Sequence, residues 1–165
     1  MVQPQVYVDL TSPLNLVEGL HITPMFKDDL DAVVELEQQN AVAPWRLRSF
    51  ELALNAKHCN WVICSEAELI GFICASQVLD ELHILNLSVA QTHRGQGLAT
   101  AMIKHLCTIH QDVPIRMIFL EVRESNKPAQ KLYRKLGFKL DGVRKGYYQC
   151  ARGIREDALL MSREF

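Results

Sequence analysis

The segment Arg94-Gly95-Gln96-Gly97-Leu98-Ala99 stands between an apolar run and a helical pattern. Two glycines at the mouth of a helix leave several backbone N–H groups clear of side chains, and the helix dipole adds to their pull on negative charge. Such a turn suits a pyrophosphate, because glycine lets the backbone come close. An isolated Gly-x-Gly is also met as a tight turn and nothing more. A dinucleotide fold is the weaker nucleotide reading, since the turn comes late in the chain and Ala99 and Thr100 follow where a third glycine would complete the motif. A P-loop is excluded by the missing Gly-Lys-Ser/Thr. Around the turn stand the other residues able to do chemistry: the carboxylates Glu81 and Glu121, the phenol of Tyr133, and the aromatics Trp45, Tyr147 and Tyr148.

These residues need elements to hold them. Leu82–Val89 is apolar and rich in Leu, Ile and Val, which predicts a buried central strand with the chemistry gathered at its end. Leu98, Met102, Ile103 and Leu106 then share a helix face. Ile115–Val122 reads as the strand that carries Glu121. Pro128 suits the first turn of a helix, Ala129, Leu132, Tyr133 and Leu136 share its face, and Gly137 suits a left-handed stop. Lys139–Arg144 and Asp157–Ser162 are expected as the last strands. Upstream, Leu30, Val33, Val34 and Leu36 recur at helical spacing between Met25 and Asn40, with Asp28, Asp29 and Asp31 near the start. Ala43-Pro44-Trp45 breaks that helix, and Phe50, Leu52 and Leu54 suggest a short second one. Strands at Trp61–Ser65 and Leu69–Gln77 form a hairpin through Ala67-Glu68. Residues 1–19, with Pro4 and Pro13, read as an irregular arm or edge segment, and residues 20–165 as one domain.

Composition narrows the classes. The chain has 165 residues, 48% hydrophobic and 22% charged, which fits one globular α/β domain. No window approaches the roughly 20 apolar residues that cross a bilayer, and Asp9 and Glu18 among prolines do not make a secretory signal. A cytoplasmic location is expected, without membrane partners. Lysine and arginine number 18 against 19 aspartates and glutamates, which removes the footprint of a dedicated nucleic-acid binder. Cys59, Cys64, Cys74, Cys107 and Cys150 form no Cys-x-x-Cys pair and read as reduced thiols rather than metal ligands, so no metal is expected.

Asn86-Leu87-Ser88-Val89 followed by the glycine turn resembles the acetyl-coenzyme A motif of the GNAT superfamily, Gln/Arg-x-x-Gly-x-Gly/Ala. Leu120 to Asn126 and Leu132 to Phe138 are similar to the ribosomal-protein-alanine N-acetyltransferases of the RimI type, as are Leu36-Glu37-Gln38, Ala43-Pro44-Trp45, Tyr147-Tyr148 and Arg155-Glu156-Asp157-Ala158. The resemblance spans about residues 20–165 and implies the GNAT fold, a mixed, mostly antiparallel central sheet flanked by helices. It implies acetyl-coenzyme A as co-substrate and a protein N-terminus as acceptor, that of a small-subunit ribosomal protein first. By the same resemblance, backbone groups of Leu87, Ser88 and Val89 take the acetyl and pantetheine portion, and Arg94, Gly95, Gln96, Gly97, Leu98, Ala99 and Thr100 the pyrophosphate. Asn126 contacts the cofactor, Glu121 is the general base and Tyr133 the general acid. The chain departs from the family pattern at Arg46, Gly146 and Gln149, all on the acceptor side.

Acetyl transfer from a thioester needs a free amine, a polarised carbonyl and a proton for the departing thiolate. An α-amine near pKa 7.7–8.0 is roughly a tenth free base at neutral pH, whereas lysine near 10.4 is almost wholly protonated. Other readings stay open: Glu121 as a rim residue paired with Arg123 or Arg94, Tyr133 as a core tyrosine, Glu81 as rival base or substrate contact. Trp45, Tyr147 and Tyr148 suit the walls of a channel for the incoming N-terminus or packing against a helix layer. The rival functions are acetylation of lysine or small amines, and a non-catalytic acetyl-coenzyme A binding module.

Overall fold

The computed structural model describes residues 8–9, 19–55, 59–66, 68–109, 114–150 and 153–164. Most of the expected N-terminal arm, and Ala67 of the expected hairpin, lie outside the described residues. In chain order the elements are β1 (Val8–Asp9), β2 (His21–Pro24), α1 (Leu30–Asn40), α2 (Leu47–Asn55), β3 (Cys59–Cys64), β4 (Leu69–Val78), β5 (Glu81–Val89), α3 (Leu98–Ile109), β6 (Met117–Arg123), α4 (Lys127–Lys135), β7 (Lys139–Gln149) and β8 (Arg155–Glu164). Packing divides the chain into two compact units, Met1–Cys74 with Asn86–Leu106, and Ala75–Leu85 with Cys107–Phe165. Both β4 and β5 run from one unit into the other.

In the first unit the strand order is β1-β2-β3-β4-β5, with β1, β2 and β3 antiparallel. Successive side chains on a strand face opposite ways, so the neighbours of each residue reveal which helix covers which face. Val62, Phe72 and Cys74 pack with Leu30, Val33 and Leu36 of α1 and Phe50 of α2. Phe50 meets Phe72 edge-on at 5.4 Å and Trp45 at 5.3 Å. On the other face Trp61 meets His105 of α3 at 4.4 Å, and Gly71 lies under Met102. A Cβ at Gly71 would stand 2.8 Å from Ile63 Cγ2, 3.0 Å from the Ser88 carbonyl oxygen and 3.1 Å from Met102 Cε, so only glycine permits this approach. The helical pattern predicted from Met25 resolves into a 3-10 turn, Lys27–Asp29, before α1 begins at Leu30. The cause is local: Phe26 N–H donates to Asp29 Oδ2 at 2.7 Å while Asp29 N–H donates to the Phe26 carbonyl at 3.1 Å.

In the second unit the order is β4-β5-β6-β8-β7. β5 and β6 run parallel from Glu81↔Met117 to Ile84↔Leu120, where their paired register stops. β6 continues for Glu121, Val122 and Arg123 against antiparallel β8, which pairs with β7. β6 starts two residues later than the predicted Ile115, because the amides of Arg116 and Met117 both turn to the Asp80 carbonyl. β7 runs past the predicted end at Arg144 to Gln149. Its register shifts between Arg144 and Tyr148, where Gly146 takes φ +56° and its N–H donates to Asp157 Oδ1 at 2.8 Å. α4 forms as predicted: Asn126 Oδ1 accepts from Ala129 N–H at 3.2 Å, Pro128 sits in the first turn, and Gly137 at φ +89° ends it. The pairing is therefore mixed and mostly antiparallel, as expected. Among the described residues no helix is long and apolar enough to cross a membrane.

Candidate active site

The first unit carries the glycine turn. Beyond β5 a 3-10 turn, Gln91–His93, leads to Arg94, Gly95 at φ +78° and Gly97 at φ +84°. Both glycines need the left-handed region, and nothing lies within 4 Å of where a Cβ would stand on either. Ala101 N–H closes the first bond of α3 on the Gly97 carbonyl at 3.0 Å, which leaves the amides of Leu98, Ala99 and Thr100 without an acceptor inside the helix. A pyrophosphate fits this cradle.

Arg94 points back from the turn: its Nη2 donates to Asn40 Oδ1 at 2.7 Å and its Nε to the Val89 carbonyl at 3.1 Å. Asn40 in turn donates to Ser88 Oγ at 2.8 Å and to the Val89 carbonyl at 3.1 Å. One turn earlier, buried Glu37 accepts from the Asn86 amide and from Trp45 N–H, each at 3.1 Å. Sequence reading missed Glu37 and Asn40. Polar residues at the end of an amphipathic helix look like a solvated face, and Asp31 and Glu35 are indeed exposed.

The second unit carries the candidate acid and base. Glu121 lies one residue past the last β5–β6 pair, and its Oε1 accepts from Arg144 Nη1 at 2.7 Å. That pairing replaces the expected alternatives, since Arg123 pairs with Glu156 at 3.0 Å and Arg94 is taken by Asn40. The Arg144 guanidinium also covers the Tyr147 ring at 4.4 Å, and Arg123 covers Tyr148 at 4.3 Å. The two tyrosine rings meet at 5.0 Å. Burial, then the Glu121 charge and its hydrogen bond, raise the Tyr147 phenol. Burial and then Glu121 push Tyr148 up to about 12. Tyr133 packs edge-on to Phe138 at 5.7 Å, and burial, with Tyr148 second, pushes its phenol up to about 12. Burial alone would raise the Glu156 carboxyl, yet its bonds to Ser125 and Arg123 outweigh that and hold it low.

Glu121, Tyr133, Tyr147 and Tyr148 thus share one neighbourhood. Glu81 does not: it opposes Met117, four residues along β6 from Glu121, or about 13 Å at strand rise. It pairs instead with His83 at 3.2 Å. Asn126 has a structural task as the cap of α4.

The pattern of the acetyltransferase (GNAT) family matches residues 25–138. The chain belongs to the GNAT family. The [ribosomal protein bS18]-alanine N-acetyltransferase of Escherichia coli K12 is 31% identical over 149 residues, 90% of this chain and 97% of that enzyme. Its counterpart in Haemophilus ducreyi is 33% identical over 141 residues, 86% and 97% of the two chains. The crystal structure of the ribosomal-protein-S18-alanine N-acetyltransferase from Escherichia coli matches with a TM-score of 0.80 at 30% identity, over 88% of this chain and 93% of that one. Arabidopsis thaliana NAA60 in complex with acetyl-CoA shares the fold, with a TM-score of 0.79 at 23% identity over 88% and 98% of the chains. In this GNAT chain the matched segment takes in the glycine turn, Glu121 and Tyr133.

Proposed function

We propose that this GNAT acetyltransferase moves the acetyl group of acetyl-coenzyme A to a protein N-terminal α-amine, with the alanine N-terminus of ribosomal protein bS18 as first candidate. The observation that carries the reading is the placement of Glu121, Tyr133, Tyr147 and Tyr148 in one neighbourhood, in a chain similar to bS18-alanine enzymes over 97% of their length. Acetyl-coenzyme A supplies the activated acyl group as a thioester. The amides from Gly95 to Thr100 hold its pyrophosphate, with Arg94 and Gln96 at the turn, and the backbone of Leu87, Ser88 and Val89 lies along the pantetheine and acetyl portion. Asn126, at the start of α4, belongs to the cofactor side as well. The aromatics Trp45, Tyr147 and Tyr148 are assigned to the acceptor, and no role in proton transfer falls to Glu81.

Glu121 takes the proton lost by the amine, directly or through one water, as the nitrogen bonds to the thioester carbon. Tyr133 gives its proton to the sulfur as the carbon–sulfur bond breaks. A phenol at about 12 is fully protonated at neutral pH, so its proton is present when the sulfur departs. An acetyl-cysteine route has little support: burial pushes Cys59 and Cys107 up to about 11 and Cys74 to about 12, so these thiols are poor nucleophiles at neutral pH. Transfer is direct. We place the reaction in the cytoplasm, where ribosomal proteins are made.

Thiol release from acetyl-coenzyme A, with peptides that begin in alanine set against N-terminally blocked and lysine-bearing controls, tests the acceptor. Turnover confined to the free alanine N-terminus is expected. Turnover only on lysine or small amines overturns the acceptor, and cofactor binding without turnover on any amine overturns the catalytic reading.

A further inference from the structure

Asn40 closes a ring of hydrogen bonds that no sequence motif announces. Its Nδ2 donates to Ser88 Oγ at 2.8 Å and to the Val89 carbonyl at 3.1 Å, and its Oδ1 accepts from Arg94 Nη2 at 2.7 Å. Arg94 completes the ring, its Nε donating to the same Val89 carbonyl at 3.1 Å. Three pieces of chain are joined: the last residue of α1, the last two residues of β5 and the first residue of the glycine turn. Only a planar amide satisfies all three partners, because a carboxylate has no donor for the Val89 carbonyl, an aliphatic side chain has neither function and a serine is too short.

We infer that Asn40 is a positioning residue for acetyl-coenzyme A, fixing the Ser88–Val89 end of β5 relative to the glycine turn. The inference rests on the cofactor reading above. A thioester and a pyrophosphate sit at a set distance along one molecule, so the two backbone sites that take them must keep a set spacing. Between Val89 and Gly95 the chain passes through a 3-10 turn at Gln91–His93 whose residues are mostly exposed. The Asn40–Arg94 bond spans that turn from outside. Glu37, one turn back on α1, holds Asn86 in the same way, so the end of α1 grips β5 at Asn86, Ser88 and Val89. Arg94 is exposed, and a bond to it there adds little to folding. Its larger effect is on where the turn stands.

The test is acetyl-coenzyme A binding by calorimetry, with steady-state kinetics and melting temperature, for wild type, Asn40→Ala, Asn40→Asp and Arg94→Met. Asn40→Ala is expected to raise both the Kd and the KM for acetyl-coenzyme A roughly tenfold, with kcat at saturation and the KM for the peptide near wild type. Asn40→Asp, which keeps the acceptor for Arg94 but loses the donor, should fall between. Arg94→Met, which also removes a side chain from the pyrophosphate turn, should weaken binding at least as much, and the double variant little further than Arg94→Met alone, since Asn40 acts through the same ring. Unchanged Kd and KM in Asn40→Ala overturn the inference, as does a fall in kcat and melting temperature with KM unmoved. Should Asn40→Ala fail to fold, Asn40→Asp decides by the same readouts. A wild-type chain that does not bind acetyl-coenzyme A overturns the cofactor reading itself, and the inference with it.

Discussion

At the scale of single residues, the second unit shows how one carboxylate is aimed. Arg144 holds one oxygen of Glu121 at 2.7 Å and covers the Tyr147 ring, so one guanidinium fixes both side chains. Tyr133 has a different environment, sealed beside Phe138 with its phenol pushed up to about 12. Tyr133→Phe keeps the ring and removes only the proton donor. It is expected to lower kcat by about 10²-fold or more, with melting close to wild type, as stopped-flow thiol release and calorimetry would show. The raised phenols also set an alkaline limit on stability. A tyrosine that ionises near 10 when unfolded and near 12 when folded stabilises the native state fully below pH 10, and that share is lost as pH rises from 10 to 12. Melting temperatures should fall through that window, and fall less in Tyr133→Phe.

At the scale of elements, two contacts decide placement. Gly71 lets β4 approach the Ser88 carbonyl and Met102, and Gly71→Ala is expected to destabilise the fold by about 1–3 kcal/mol through overpacking, read as a lower urea midpoint. The β7–β8 hairpin depends on carboxylates. Glu156 is held low despite its burial, by Ser125 and Arg123, and Asp157 by Lys145 and Gly146. Carboxyls depressed in the folded state stabilise it above their unfolded range near 4, and that contribution is lost as pH falls through the folded values. Acid should therefore loosen the hairpin that carries Tyr147 and Tyr148, visible as a drop in melting temperature below about pH 4 that Glu156→Gln removes in part. Sequence reading found the elements whose signals are local: the apolar run of β5, and α4 between Pro128 and Gly137. The strand expected to end at Arg144 continues to Gln149, since the bulge at Gly146 is held by Asp157, eleven residues away.

At the scale of the whole molecule, the same division between local and distant signals governs the site. The glycine turn was legible because its conformation is written in its own residues, and the strand carrying Glu121 because Met117 to Leu120 is an unbroken apolar run. Arg144 as partner of Glu121, and Asn40 as partner of Ser88, were not legible, since they are 23 and 48 residues away and meet only through strand order and helix packing. Arg123 likewise meets Glu156 from 33 residues away. What remains is the claim that Glu121 serves the α-amine. The most direct measurement is kcat/KM for an alanine-initiated peptide as a function of pH, for wild type and Glu121→Gln, with acetyl-coenzyme A affinity measured alongside. A loss of about 10²- to 10⁴-fold at neutral pH with unchanged cofactor affinity is expected, shrinking as pH rises past 8 and the amine frees itself. Wild-type kcat/KM in Glu121→Gln at neutral pH would contradict the account.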